Sequence, residues 1–281
     1  MLMSRKLFDL TSLKCSKLIT VHYSTSFSLG IKLLGKKYRP HIYSIYGFVR
    51  YADEIVDTFH DQDKGILLEE FRKDTFNAIE RKFSINPIVH SFQETVNLYN
   101  IDLSLIHAFL DSMEMDLHYG KYNKEKYSEY IYGSAEVVGL MCLRVFCDGQ
   151  DTTYNSLKAP ARSLGSAFQK VNFLRDMQED YKERGRVYFP GVDFDCFDED
   201  CKNQIVEDIE KNFSEALTGI RELPIGCRGG VYLAYRYYTK LFDKLKKAKP
   251  EAIQSKRMRV HNAYKAYILM KSYARYAFNL I

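Results

Sequence analysis

The chain has 281 residues, 46% of them hydrophobic, with 6 prolines, 15 glycines, 22 tyrosines, 18 phenylalanines, no tryptophan and a formal charge of +5. This is enough apolar material for a large core, and no Pro-, Gly- or Ser-rich stretch suggests a point at which to divide it. The six cysteines show neither Cys-x-x-Cys pairing nor zinc-finger spacing, which excludes a disulfide scaffold and a zinc site, and no run of about 18 apolar residues offers a membrane span.

Apolar residues recur at three- and four-residue spacing almost throughout, so an all-α fold in one domain covering 1–281 is predicted. In chain order, helices are expected over 10–23, 41–58, 64–82, 88–99, 103–119, 124–146, 160–183, 199–223, 228–247 and 262–280. Pro40, Pro87 and Pro160 precede or open helices in this reading, and Pro190, Pro224 and Pro250 follow them. The second helix carries Arg50-Tyr-Ala-Asp53-Glu-Ile-Val-Asp57, with two carboxylates four residues apart. The seventh carries Gln169, Asn172, Asp176 and Asp180 at steps of three, four and four, one stripe of a helix face. At about 1.5 Å per residue this row of oxygen ligands runs roughly 16 Å. From Lys240 onward basic residues greatly outnumber acidic ones, a pattern open to solvent, an anionic membrane face or a diphosphate ligand.

Two acidic stripes inside hydrophobic helices imply a shared cation, because a buried carboxylate cluster without one repels itself. Asp carboxylates with Asn and Gln carbonyls suit a hard ion such as Mg²⁺, with Mn²⁺ as the alternative. Mg²⁺ completes its shell with water and phosphate oxygens, so a phosphorylated substrate is expected between the stripes. Arg50 and Arg175 adjoin them and suit phosphate contacts. No G-x-x-x-x-G-K-[ST] or G-x-G-x-x-G motif is present, which disfavours kinases, NTPases and Rossmann oxidoreductases. What remains is a helical enzyme that removes diphosphate from an apolar substrate, with aromatic residues available to line a tunnel and stabilise a cation.

The segments Tyr23-Ser-Thr-Ser-Phe27, Ile45 to Asp57, Tyr130 to Gly139, Leu164 to Asp180 and Gly185-Arg-Val-Tyr-Phe-Pro190, in this order over nearly the whole chain, resemble the squalene and phytoene synthase family of head-to-head prenyl diphosphate synthases, most of all its bacterial carotenoid branch. The resemblance implies an isoprenoid synthase fold with helices around a central cavity. It matches Asp53, Asp57, Asn172, Asp176 and Asp180 to metal positions. It matches Ser24, Ser26, Arg50, Gln169, Arg175, Arg186 and Tyr188 to diphosphate contacts, with Tyr46, Tyr238 and Arg257 as further members of that shell. Phe27, Tyr130, Val138, Ala161 and Phe168 would line prenyl tunnels. Thr25 stands where many relatives carry a basic residue, and Glu136 where many have Gly.

The activity implied is condensation of two geranylgeranyl diphosphates to phytoene through a cyclopropylcarbinyl diphosphate, without a nicotinamide cofactor. A farnesyl-using dehydrosqualene synthase, or a squalene synthase using NADPH, is the alternative, and a non-catalytic assembly or lipid-binding relative ranks below both. The partners expected are prenyl diphosphates and no nucleic acid, on a monomer or weak dimer. A cytoplasmic location is expected, with peripheral association at the inner face of the membrane left open.

Overall fold

The computed structural model describes residues 2–118 and 122–277, and among these every regular element is helical. α1 (Leu2–Tyr23) and α2 (Thr25–Leu33) are divided by Ser24, whose extended backbone ends one helix and whose hydroxyl caps the next by accepting the Phe27 N–H at 3.2 Å. Pro40 lies in the first turn of α3 (Arg39–Asp57), where the missing N–H has no intrahelical partner to lose. Asp63, Asn86 and Asp102 cap α4 (Lys64–Arg81), α5 (Pro87–Tyr99) and α6 (Leu103–Met115), each cap contributing about 1 kcal/mol. α7 (Lys124–Ile131) runs through a π-helical turn (Tyr132–Glu136) into α8 (Val137–Phe146). α9 (Asp151–Arg184), α10 (Glu199–Glu222), α11 (Ile225–Lys246), α12 (Pro250–Ser255) and α13 (Asn262–Ala277) complete the order.

Several boundaries differ from the sequence expectation for identifiable reasons. The helix expected to open at Pro160 begins at Asp151, and Pro160 sits inside it. Its ring packs on Gly219 of α10, where a Cβ would come within 2.5 Å, so contact there helps to offset the hydrogen bond the proline removes. The single helix expected over 124–146 is broken by the π-turn, at which Gly133 lies against the Ala108 carbonyl and Ser112 of α6. α1 begins eight residues early, and α2 occupies a segment over which no helix is expected. Pro250 opens α12 rather than only following α11. α3 ends at Asp57, so this carboxylate lies in a last turn and not mid-helix. The expected helix ends at Tyr119 and Leu280 lie outside the described residues.

Two cores result. In the first, Ile45, Phe48, Ala52, Ile55 and Val56 of α3 pack against α5, α6 and α8, with Phe48 stacked on Phe92 at 3.8 Å and tilted on Phe109 at 5.6 Å. All three rings are fully buried, and truncation of one to alanine in such a setting costs about 3–5 kcal/mol. In the second, Val171, Leu174 and Met177 of α9 pack with Ile209, Phe213, Phe242 and Leu245. Thus the stripe-bearing parts of α3 and α9 anchor apolar faces in different cores, while Tyr154 and Leu157 at the start of α9 join the first, and the polar stripes border the space between. Among the described residues no helix is long and apolar enough to cross a membrane.

Candidate active site

That space is a cavity of about 1120 Å³. Every residue matched to a metal, diphosphate or tunnel position in the sequence lines it. α3 contributes Tyr46, Arg50, Asp53 and Asp57, and α9 contributes Ala161, Phe168, Gln169, Asn172, Arg175, Asp176 and Asp180. Ser24, Ser26 and Phe27 come from α2 and its cap, Tyr130 from α7 and Val138 from α8. Arg186 and Tyr188 come from the segment after α9, Tyr238 from α11 and Arg257 from the segment after α12.

The acidic ends of the two helices concentrate negative potential. Asp57 is the last residue of α3 and Asp180 lies four residues before the end of α9, where the helix dipoles also point their negative poles. Burial pushes the Asp53 carboxyl up to about 7; the Arg50 guanidinium opposes the rise, and Asp57, Asp116 and Glu54 add to it. A carboxylate so placed is suited to a cation. Arg50 pairs with Glu54, stands 3.7 Å from Asp53 and lies over the Tyr23 ring at 4.5 Å, while its buried Nε has no hydrogen-bond partner. An orphan donor of this kind at the cavity wall fits an anionic ligand.

On α9, Asp176 is held by two arginines. Arg175 Nε and Nη2 approach its oxygens at 2.8 and 2.5 Å, and Arg257 Nε lies 2.9 Å from Oδ1 while its Nη1 donates to Glu179 at 2.9 Å. Asn172 Oδ1 accepts the Tyr238 hydroxyl at 3.2 Å, and Asn172 Nδ2 donates to Gln169 at 3.5 Å. The donor set facing the cavity from the two stripes is therefore oxygen-rich and flanked by guanidinium groups, the composition a hard cation with a phosphate ligand requires. Among the described residues, three converging His, Cys, Asp or Glu donors occur only at Asp9, His90 and Glu94, and none of these lines the cavity. There His90 Nδ1 accepts the Ser84 N–H at 3.3 Å, so Nε2 carries the proton and donates to Asp9 at 3.0 Å. This hydrogen bond joins α1 to α5, with Glu94 Oε1 3.8 Å from Nε2.

The remaining walls are aromatic. Phe27 stacks on Tyr46 at 4.8 Å, Phe168 on Tyr238 at 3.9 Å and Phe173 on Tyr188 at 4.1 Å. Burial pushes the Tyr46 hydroxyl up to about 12, so it stays protonated. Glu136 does not line the cavity; its carboxylate accepts from Arg162 Nε at 2.6 Å, while Thr25 does line it. Sequence reasoning missed Asp116, Glu179, Arg259 and Lys265, which also line the cavity. The last two lie in the basic C-terminal region and were within reach of charge patterning, whereas Asp116 has no periodic partner.

A model of the squalene/phytoene synthase family matches residues 20–263. The chain is 30% identical over 250 residues to phytoene synthase 2, chloroplastic, of Solanum lycopersicum, covering 81% of this chain and 79% of that protein. It is 27% identical over 193 residues to 4,4'-diapophytoene synthase of Staphylococcus haemolyticus, covering 66% and 65%. Among solved structures, a dehydrosqualene synthase in complex with ligand superposes with a TM-score of 0.81 at 20% identity, covering 95% of this chain and 96% of that one. The fold is that of the all-α isoprenoid synthases.

Proposed function

The chain belongs to the squalene/phytoene synthase family and is a prenyltransferase of that type, and we propose that it condenses two geranylgeranyl diphosphates head to head to give phytoene. The observation that carries this reading is the pair of acidic stripes, Asp53 with Asp57 and Asn172 with Asp176 and Asp180, bordering one aromatic cavity. Its volume of about 1120 Å³ exceeds the roughly 300–1,000 Å³ of ordinary small-molecule sites and suits two long chains.

Those five residues would hold Mg²⁺, which would neutralise the charge that develops on the departing diphosphate. Arg50, Arg175, Arg186 and Arg257 bind diphosphate oxygens, with Ser24, Ser26 and Gln169 adding neutral contacts. Tyr188 assists departure as a hydrogen-bond donor. The aromatic pairs exclude water and offer ring faces to the allylic cation, which the acceptor's double bond captures; loss of a first proton from the resulting tertiary cation closes the ring of the cyclopropylcarbinyl diphosphate. A second ionisation opens the ring, and proton loss leaves the central triene. Purified enzyme with Mg²⁺ and C20 diphosphate should yield phytoene without NADPH. A C30 hydrocarbon formed from C15 diphosphate alone, with the C20 substrate inert, would replace this reading by its farnesyl-using alternative, for which the similarity to a diapophytoene synthase speaks.

The same reading has the enzyme docking on an anionic membrane, into which an apolar product can leave. Tyr264, Tyr267, Met270 and Tyr273 are exposed along α13, with Lys240 over Tyr264 at 4.8 Å and Lys271 over Tyr267 at 5.9 Å. Aromatic rings beside lysines match a headgroup interface. Co-sedimentation with anionic vesicles should be strong at low salt and weak at high salt, and absence of binding at low salt refutes it.

A further inference from the structure

Asp116 follows α6 on the cavity wall, is 6% exposed, and belongs to none of the motifs. Its Oδ2 and Oδ1 accept the Tyr130 hydroxyl at 2.9 and 3.1 Å, and Oδ1 also accepts Arg186 Nη1 at 2.9 Å. Its backbone carbonyl accepts Arg186 Nη2, and Arg186 Nη1 donates to the Tyr188 hydroxyl at 3.1 Å. One carboxylate therefore joins Tyr130 and Arg186, which line the cavity from separate segments, and reaches Tyr188 through Arg186. Rings surround them: Tyr122 and Tyr188 each lie 5.4 Å from Tyr130, and Phe173 stacks on Tyr188. Removing an ion pair from water into such a wall costs several kcal/mol, and apolar residues of similar volume would hold α6 at no such cost.

We infer that Asp116 is a positioning residue that sets the direction of hydrogen bonding at the two cavity tyrosines and holds Arg186 in place. Because an arginine only donates, the Tyr188 oxygen accepts from it and the Tyr188 hydrogen is left to donate. Because an ionised carboxylate only accepts, the Tyr130 hydrogen is directed to Asp116, and its oxygen lone pairs are left for the cavity. Resting on the function proposed above, this separates the labour. Arg186 and Tyr188 face the departing diphosphate as donors, and Tyr130 faces the cationic hydrocarbon as an electron-rich group. Without Asp116 the Tyr130 hydroxyl could turn its hydrogen into the cavity, and Arg186 would lose its anchor.

The test uses the full-length enzyme with Mg²⁺ and C20 diphosphate, comparing Asp116→Asn, Tyr130→Phe and the double variant for diphosphate release and thermal midpoint. Asp116→Asn should lower kcat about 100-fold with KM little changed and the midpoint close to wild type, as expected when catalytic groups are misplaced. The double variant should be no slower than Asp116→Asn alone, because the two act as a unit. A folded Asp116→Asn with wild-type kcat, or losses that multiply in the double variant, overturns the inference. Should Asp116→Asn fail to fold, Tyr130→Phe decides, and wild-type kcat in that variant also overturns it. A wild-type enzyme that releases no diphosphate refutes the proposed function instead, so the two failures are distinct.

Discussion

Asp53 shows how far a single side chain is governed by its surroundings. Its carboxyl is lifted from the ordinary 3.8 to about 7, chiefly by burial, and Asp57 adds to the lift. Folding therefore favours the protonated form: this contribution to stability is full below about pH 4, fades as pH rises toward 7 and is gone above it. A bound dication reverses the preference, because it needs the ionised carboxylate. Mg²⁺ should accordingly raise the melting temperature more at about pH 8 than at about pH 6, measured against a chelator control; an equal or opposite shift would remove Asp53 from the metal site. The stripe on 169–180 was legible because its oxygen-bearing side chains recur at helical spacing. Asp116 was not, because its partners Tyr130 and Arg186 stand 14 and 70 residues away and only the fold joins them.

At the scale of elements, the helical character was plain from spacing alone, and the errors fell where tertiary contact overrides a local rule. Pro160 reads as a helix start by its usual preference, yet it lies inside α9, packed on Gly219. The π-turn between α7 and α8 has no signal in hydrophobic period; it lies where Gly133 meets the Ala108 carbonyl and Ser112. A π-turn shifts the register of the helix beyond it, and here that register sets the cavity-lining Val138 and Gly139. Gly133→Val should therefore cost about 1–3 kcal/mol in urea unfolding, by overpacking, and should slow turnover as well. An unchanged urea midpoint would mean that α6 and the turn are not locked together.

For the whole molecule, two cores leave a polar-rimmed aromatic cavity between them, and helices rooted in different cores bring their acidic ends to it. Placing Asp57 and Asp180 near two negative helix ends is unfavourable for the empty protein; under the proposed function it becomes favourable once cations and diphosphate bind, so that ligand binding and closure of the charge balance would be one event. Calorimetric titration with inorganic diphosphate, with and without Mg²⁺, tests this most directly on wild type, Asp53→Asn and Asp176→Asn. The account expects binding by wild type only with Mg²⁺, weakened about 10–100-fold in each variant while its melting transition persists. Equal affinity without Mg²⁺, or full affinity in both folded variants, would contradict it.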